Sequence, residues 1–187
     1  MSPRSPLRPL LLLAALLFAA VASAGDYVQA PGSTLNFAGS YQGEVFTGKF
    51  PGFSTRFSFD PAQLATAKLD VSIPLATATT GIQDYDSELR GDAFFASAKF
   101  PQARYTATTF RALGGNRFAA DGTLSLHGVS KPVTLEFSWT PGAKPVLSGK
   151  ATVSRLAFGV GGGDWADTGL IPDAIAVATK VVFVPAK

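Results

Sequence analysis

A strand–turn–strand pattern runs through residues 122–139, GTLSLHGVSKPVTLEFSW. In the second half, VTLEFSW, apolar and polar residues alternate, as the two faces of a half-buried β-strand require. The first half ends at Leu126, and the intervening HGVSKP contains a glycine and a proline, which predicts a hairpin connection ahead of a strand that begins at Val133. This stretch therefore predicts antiparallel β-structure.

The same alternation recurs along most of the chain. It is found in STLNFAG, FSTRFSFD, KLDVSIPL, RFAADGTLSL and IAVATKVVFV. Short turn signals such as Pro-Gly, Asp-Pro and Gly-Gly-Asn separate these runs. We count eight or nine strands in this way, on the order of what one small β domain contains. Evenly spaced strands without long helices between them favour an antiparallel barrel or sandwich.

One connection departs from this pattern, TTGIQDYDSELRGDAFFASAKFP at residues 79–101. Its first apolar residues, Ile82, Tyr85 and Leu89, follow helical spacing, which predicts one or two short helices. Long connections in compact β domains often carry function, so this segment is a candidate part of the site.

The N-terminal residues 1–24 have the layout of a signal peptide. Arg4 and Arg8 precede an apolar run, and Ala22-Ser23-Ala24 follows it. We expect cleavage after Ala24, which leaves residues 25–187 as one periplasmic domain without a segment suited to an integral membrane protein. The whole chain has 16 basic and 13 acidic residues, so loss of the two arginines leaves the charges nearly balanced. Such a surface offers no footprint for nucleic acid.

The chain contains few groups that could carry chemistry. With one histidine and no cysteine, cysteine nucleophiles and His/Cys metal sites are excluded. The acidic run DYDSE lacks the glycine of a calcium loop, and no Gly-x-Ser-x-Gly turn is present. We therefore predict no catalytic residue, no metal and no cofactor, and we interpret His127 as part of a turn, with catalysis as the open alternative.

Several motifs together resemble the YceI-like family of exported, lipocalin-like proteins. They are Asp92-x-Phe94-Phe95, then Lys99-Phe100-Pro101, then GTLSLHGVSKPVTL, and finally Arg155-x-x-Phe158-Gly159. The resemblance implies an all-β fold, an extended eight-stranded antiparallel barrel. It also implies that an apolar lumen holds an isoprenoid lipid, such as a quinone or polyprenyl compound, without catalytic residues.

A narrower resemblance concerns partners. The stretch FGVGGGDWADT, residues 158–168, resembles the branch of the family associated with cytochrome b561-type membrane proteins. Such a protein is one candidate partner, and a second copy of the chain, forming a homodimer, is another.

We predict which residues contact the lipid from the alternation and the irregular segments. The expected tunnel walls are Phe37, Phe57, Phe59, Val71, Ile73, Phe137 and Trp139, and the expected gate is Phe94, Phe95, Phe158 and Trp165. Arg90 and Arg155 are candidates to meet a polar head group, and an ion pair with Asp86 or Asp92 is the alternative role for them.

Two rival functions remain open from the sequence. The chain contains 15 phenylalanines, and such side chains fill a small barrel as readily as they line a cavity. A filled barrel would serve as an interaction module for a membrane redox partner. The other rival is a lipid-modifying enzyme that uses His127.

Overall fold

Ten strands and one α-helix make up residues 25–186, the part of the chain that the computed structural model describes. The strands are β1 (Gly25–Gln29), β2 (Thr34–Tyr41), β3 (Glu44–Lys49), β4 (Ser54–Phe59), β5 (Lys68–Pro74), β6 (Gln102–Gly114), β7 (Arg117–Leu126), β8 (Val129–Thr140), β9 (Val146–Ser154) and β10 (Ala174–Pro185). The helix is α1 (Gln83–Arg90), and short 3₁₀ turns span Leu64–Thr66, Leu75–Thr77, Leu156–Phe158 and Gly163–Trp165. The predicted signal peptide lies outside the described residues.

Eight of the strands close into an antiparallel barrel in the order β1-β4-β5-β6-β7-β8-β9-β10, and β1 pairs back with β10. The end of β10 pairs with β1, from Tyr27 opposite Pro185, while its first half pairs with β2. The hairpin of β2 and β3 therefore extends the barrel wall beyond β1. The predicted eight-stranded barrel is confirmed.

The predicted helix in the long connection is confirmed as α1. Asp86, in the middle of this helix, accepts hydrogen bonds from the hydroxyl groups of Thr79 at 2.6 Å and Thr80 at 2.7 Å. These bonds fix the helix against the chain that leaves β5. A short bridge between Thr79 and Lys49 then ties the connection to the edge of β3.

The hairpin between β7 and β8 is tighter than the sequence predicted. Only His127 and Gly128 lie between the strands, and both have positive φ, 53° and 78°. Two residues with positive φ form the type I′ turn that matches the twist of a β-hairpin. Strand β8 therefore begins at Val129 rather than Val133, and Pro132 lies within the strand.

Inward-facing side chains fill one half of the barrel, and the other half is hollow. The filled half holds the turns that join β6 to β7 and β8 to β9. The hollow half lies toward α1, the β7–β8 turn and the connection between β9 and β10. Among residues 25–186, no helix is both long and apolar enough to cross a bilayer.

Candidate functional site

An apolar cavity of about 190 Å³ occupies the hollow half of the barrel, which we call the lumen. Aliphatic side chains from β5, β8, β9 and β10 form most of its wall, and aromatic rings from β2, β3 and the connection after α1 complete it. Five of the residues predicted to contact a lipid line it: Phe37, Val71, Ile73, Phe94 and Phe95. Arg155 lines it as well.

A packed aromatic cluster forms the floor of the lumen. Phe57 stacks on Phe59 with ring centroids 4.7 Å apart, and Phe59 lies 5.2 Å from Trp139. Phe137 meets both phenylalanines edge-on at 5.7–5.9 Å. The sequence placed these four residues on the tunnel wall, and that placement is wrong because they contact one another across the barrel. Alternation identifies the inward face of a strand, but it does not say where along the barrel the opposing side chains meet.

Phe158 and Trp165, predicted as part of the gate, lie in the connection between β9 and β10 and do not line the lumen. Phe158 is buried. Trp165 packs on Phe94 at 5.5 Å and on Tyr41 at 6.2 Å. Neither residue borders the cavity, and Trp165 packs behind the ring of Phe94, which does.

Arg155 follows β9 directly and is 3% exposed. Its guanidinium donates five hydrogen bonds of 2.6 to 3.2 Å to backbone carbonyl oxygens, which use all five of its N–H groups. The carbonyls belong to Val160, Gly161, Trp165, Ile171 and Pro172. Burial lowers the pKa of Arg155. With no donor left over, Arg155 organises the connection and cannot hold a head group, contrary to one role that the sequence suggested.

The other predicted head-group residue, Arg90, is exposed in the last turn of α1 and does not line the lumen. The ion pairs with Asp86 or Asp92 that the sequence left open are not formed within residues 25–186. Neither arginine therefore presents a free positive charge to the lumen.

Asp173 holds the far end of the same connection. Its carboxylate accepts a hydrogen bond from the Leu156 N–H at 2.9 Å. Hydrogen bonds from the Ser154 hydroxyl and the Leu156 N–H, together with the nearby charge of Arg155, lower the pKa of Asp173 below its ordinary 3.8. The ionised carboxylate therefore stabilises the covering of the lumen.

A depressed pKa has a defined consequence for acid stability. Asp173 contributes its full stabilisation above the pKa of the unfolded chain and loses it as the pH falls through the lower folded value. We expect the free energy of unfolding to decrease as the pH falls below 3.8, and to decrease less steeply in Asp173→Asn. Urea titrations of both proteins over a series of pH values measure this, and identical pH profiles would contradict it.

The wall of the lumen is incomplete between β8 and β9. The two strands pair only from Glu136 opposite Lys150 to Thr140 opposite Val146. Beyond that point residues 129–135 of β8 and 151–154 of β9 have no ladder pairing with each other, although each pairs with its other neighbour. We call this gap the seam.

Side chains on both sides of the seam line the lumen. Val133 and Leu135 lie on the β8 side, and Ala151 and Val153 lie on the β9 side. In this hairpin, successive residues of β8 direct their backbone N–H and C=O groups alternately toward β7 and away from it. The position of the two-residue turn makes Pro132 one of the residues whose nitrogen points away from β7, toward β9. Since proline has no N–H to donate, it is tolerated where the ladder is missing.

The only histidine closes the outer end of the seam. His127 Nδ1 lies 3.2 Å from the Phe158 carbonyl oxygen, and its ring meets Phe100 edge-on at 5.0 Å. These contacts join the β7–β8 turn to the 3₁₀ turn after β9. The geometry agrees with the structural role predicted for His127.

Substitutions of His127 test two features together, its positive φ and the contacts of its ring. Asparagine tolerates positive φ and carries a side-chain nitrogen near the position of Nδ1, so we expect His127→Asn to change stability little. Valine is β-branched and more strained than asparagine in the left-handed region, and it has no ring to contact Phe100 or the Phe158 carbonyl. We therefore expect His127→Val to be about 1–2 kcal/mol less stable than His127→Asn. Urea unfolding distinguishes the two variants, and equal stability would contradict the assigned role.

Part of the lumen wall was not predicted from the sequence. Phe46, Phe50, Leu135, Val153 and Val177 all line the lumen. Alternation already marks most of these positions as one face of a strand, so the signal was present but did not separate wall from floor. The chemistry available in the lumen is that of binding an apolar molecule, and among the described residues no cluster of three acidic or histidine side chains is arranged for a metal.

Comparison with known proteins agrees with this architecture. A family model described as the YceI-like domain matches residues 27–183. A UPF0312 protein of Shewanella denitrificans is 35% identical over 130 residues, which cover 67% of this chain and 68% of that protein.

Two solved structures are similar over most of their length. BcnA of Burkholderia cenocepacia superposes with a TM-score of 0.77 at 27% identity, covering 80% of this chain and 95% of its own. A polyisoprenoid binding domain from Saccharophagus degradans gives a TM-score of 0.67 at 19% identity, covering 87% and 99% respectively. At 19% identity, the second comparison shows that the two proteins share a fold.

Proposed function

Because the chain belongs to the YceI-like domain family, we propose that it binds an isoprenoid lipid or a similar long apolar molecule in the lumen and does no chemistry on it. The observation that carries the proposal is the apolar cavity above a filled aromatic floor. The Saccharophagus degradans protein of the same fold is described as polyisoprenoid-binding, which supports this class of ligand.

The size of the cavity supports a ring or a short run of chain. An apolar cavity of about 150 Å³ in another protein stays dry and binds benzene, and the lumen measures about 190 Å³. Each buried methylene contributes about 0.8 kcal/mol, so two isoprene units would yield most of the roughly 8 kcal/mol that micromolar binding needs, before association costs. No ionic anchor is required for such binding.

The seam provides the place where the rest of a longer chain leaves the barrel. Its edges are apolar on the lumen side, since Val133, Leu135, Ala151 and Val153 line the cavity. A lipid that enters between β8 and β9 would not need to cross the packed floor or displace the network around Arg155. We therefore place the entrance at the seam.

The proposed cellular setting of this function rests on the sequence alone. The predicted signal peptide supports export to the periplasm, where a carrier would shelter a quinone or polyprenyl compound between membranes. A cytochrome b561-type membrane protein remains the predicted partner, and the homodimer remains a prediction of assembly.

Organic extraction of the purified protein, followed by mass spectrometry, tests the proposal. We expect an isoprenoid lipid in the extract, or uptake of added quinone by lipid-free protein. Repeated absence of lipid together with no uptake would contradict it. In parallel, His127→Gln should bind the lipid as the wild type does, whereas loss of a measurable turnover in that variant would favour the enzyme.

A further inference from the structure

Among the described residues, one polar side chain that lines the lumen has no hydrogen-bond partner. Thr55, on β4, is 3% exposed and lines the cavity. Its hydroxyl oxygen is shielded from solvent and makes no hydrogen bond with any group in residues 25–186. Buried hydroxyl groups in folded proteins are nearly always hydrogen-bonded, so an exception needs an explanation.

The other polar side chains that line the lumen are already engaged. The Tyr105 hydroxyl donates to the Ala120 carbonyl at 2.8 Å, and burial raises the pKa of Tyr105, which keeps the phenol neutral. The Thr179 hydroxyl donates to the Thr34 carbonyl at 2.9 Å. Since the N–H groups of Arg155 are also used, Thr55 is the lumen group whose hydrogen-bonding capacity is entirely open.

The position of Thr55 places this capacity deep in the lumen. Thr55 lies opposite Val71, which in turn lies opposite Tyr105, so the three residues form one row across β4, β5 and β6. Phe57, two residues further along the same face of β4, belongs to the floor. In this rotamer the Thr55 hydroxyl oxygen is not accessible from the lumen. Rotation about the Cα–Cβ bond of threonine exchanges the hydroxyl and the methyl group between staggered positions, and this rotation turns the hydroxyl to a ligand.

We propose that the Thr55 hydroxyl is the contact for an uncharged oxygen of the ligand, such as an alcohol or a carbonyl. The inference rests on the proposed function and adds its chemistry and direction: the oxygen-bearing end lies at the floor, and the apolar chain runs toward the seam. A phosphate or diphosphate end is excluded from this position, because an anion buried without free positive charge or several donors is strongly unfavourable.

The test compares two substitutions of the same kind. Thr55→Val removes a hydroxyl that has no partner, and Thr179→Val removes one that has a partner. An unsatisfied buried hydroxyl destabilises a fold and a satisfied one stabilises it. In lipid-free protein, we therefore expect Thr55→Val to raise the melting temperature and Thr179→Val, whose hydroxyl makes an exposed hydrogen bond, not to raise it.

Binding is measured with three probes on lipid-free protein: geranylgeraniol, its analogue with hydrogen in place of the hydroxyl, and geranylgeranyl diphosphate. We expect the wild type to bind the alcohol about three- to tenfold more tightly than the hydrocarbon, the range for one hydrogen bond. The diphosphate should bind more weakly than the alcohol. The preference for the alcohol should disappear in Thr55→Val and persist in Thr55→Ser and Thr179→Val.

The outcomes separate this inference from the proposed function. If the wild type binds the alcohol and the hydrocarbon equally, or Thr55→Val keeps the preference, the Thr55 contact is overturned and lipid binding stands. A lower melting temperature for Thr55→Val also overturns it, since the hydroxyl would then have a partner. If the wild type binds none of the probes, the contact and the proposed function both fail.

Discussion

Replacement of Arg155 by lysine is expected to lower the free energy of unfolding by at least about 3 kcal/mol, because hydrogen bonds from charged donors to buried acceptors contribute about 1.5–3 kcal/mol each. Five carbonyls of one connection share this guanidinium. A lysine ammonium has three donors on one atom and cannot reproduce the planar fork. Several carbonyls would then be left without a partner.

The matched control for this substitution is Arg104→Lys. Arg104 is an arginine on β6, and its ion pair with Asp70 lies on the outer surface of the barrel with both side chains well exposed. Surface ion pairs contribute little to stability, so we expect little change. Urea unfolding and limited proteolysis of residues 156–172 measure both variants. If Arg155→Lys were as stable as Arg104→Lys, the connection would not depend on the guanidinium.

The second large effect is expected from Phe57→Ala, at about 3–5 kcal/mol, the usual cost of removing a fully buried phenylalanine ring. Phe57 is 1% exposed and contacts five other aromatic rings. The surrounding floor cannot collapse into the space, because its own rings are held by one another.

Phe37→Ala makes the same chemical change on the lumen wall and serves as the control. One face of the Phe37 side chain borders an existing cavity, so its removal forfeits fewer contacts, and we expect a smaller loss of stability. Chemical denaturation of the two variants side by side measures the difference. Equal losses would mean that the barrel is filled throughout, as the interaction-module alternative requires.

The sequence predicted the strands well because the period of two survives in nearly every one of them, and the resemblance to the YceI-like family then implied a barrel rather than a sandwich. The run VTLEFSW lies on β8 with the predicted face inward, and the helix in the connection after β5 begins where the spacing changes. These features are local, so residue order is enough to reveal them. The length of the β7–β8 turn was the exception, because Pro132 suggested a loop where a missing ladder instead permits proline in a strand.

The site was less predictable, because it depends on which residues meet across the barrel. Phe57 and Ile73 have the same alternation signal, yet one belongs to the floor and the other to the lumen wall. The partners of Arg155 are backbone carbonyls of the connection that follows it, and backbone partners leave no mark on the sequence. The open hydroxyl of Thr55 is likewise visible only when the groups around it are known.

The central claim is that an apolar molecule occupies the hollow half of the barrel, and a lumen-filling variant tests it most directly. Ala151 borders both the lumen and the seam, so the ring of Ala151→Phe would enter the cavity. Wild type and variant are incubated with vesicles that contain a polyprenol and are then purified from the vesicles. The mass of each protein, with any bound lipid, is measured by native mass spectrometry. We predict a lipid-bound mass for the wild type and none for the variant, with the variant still folded. A folded variant that retains the lipid, or a wild type that takes up none, would contradict the account.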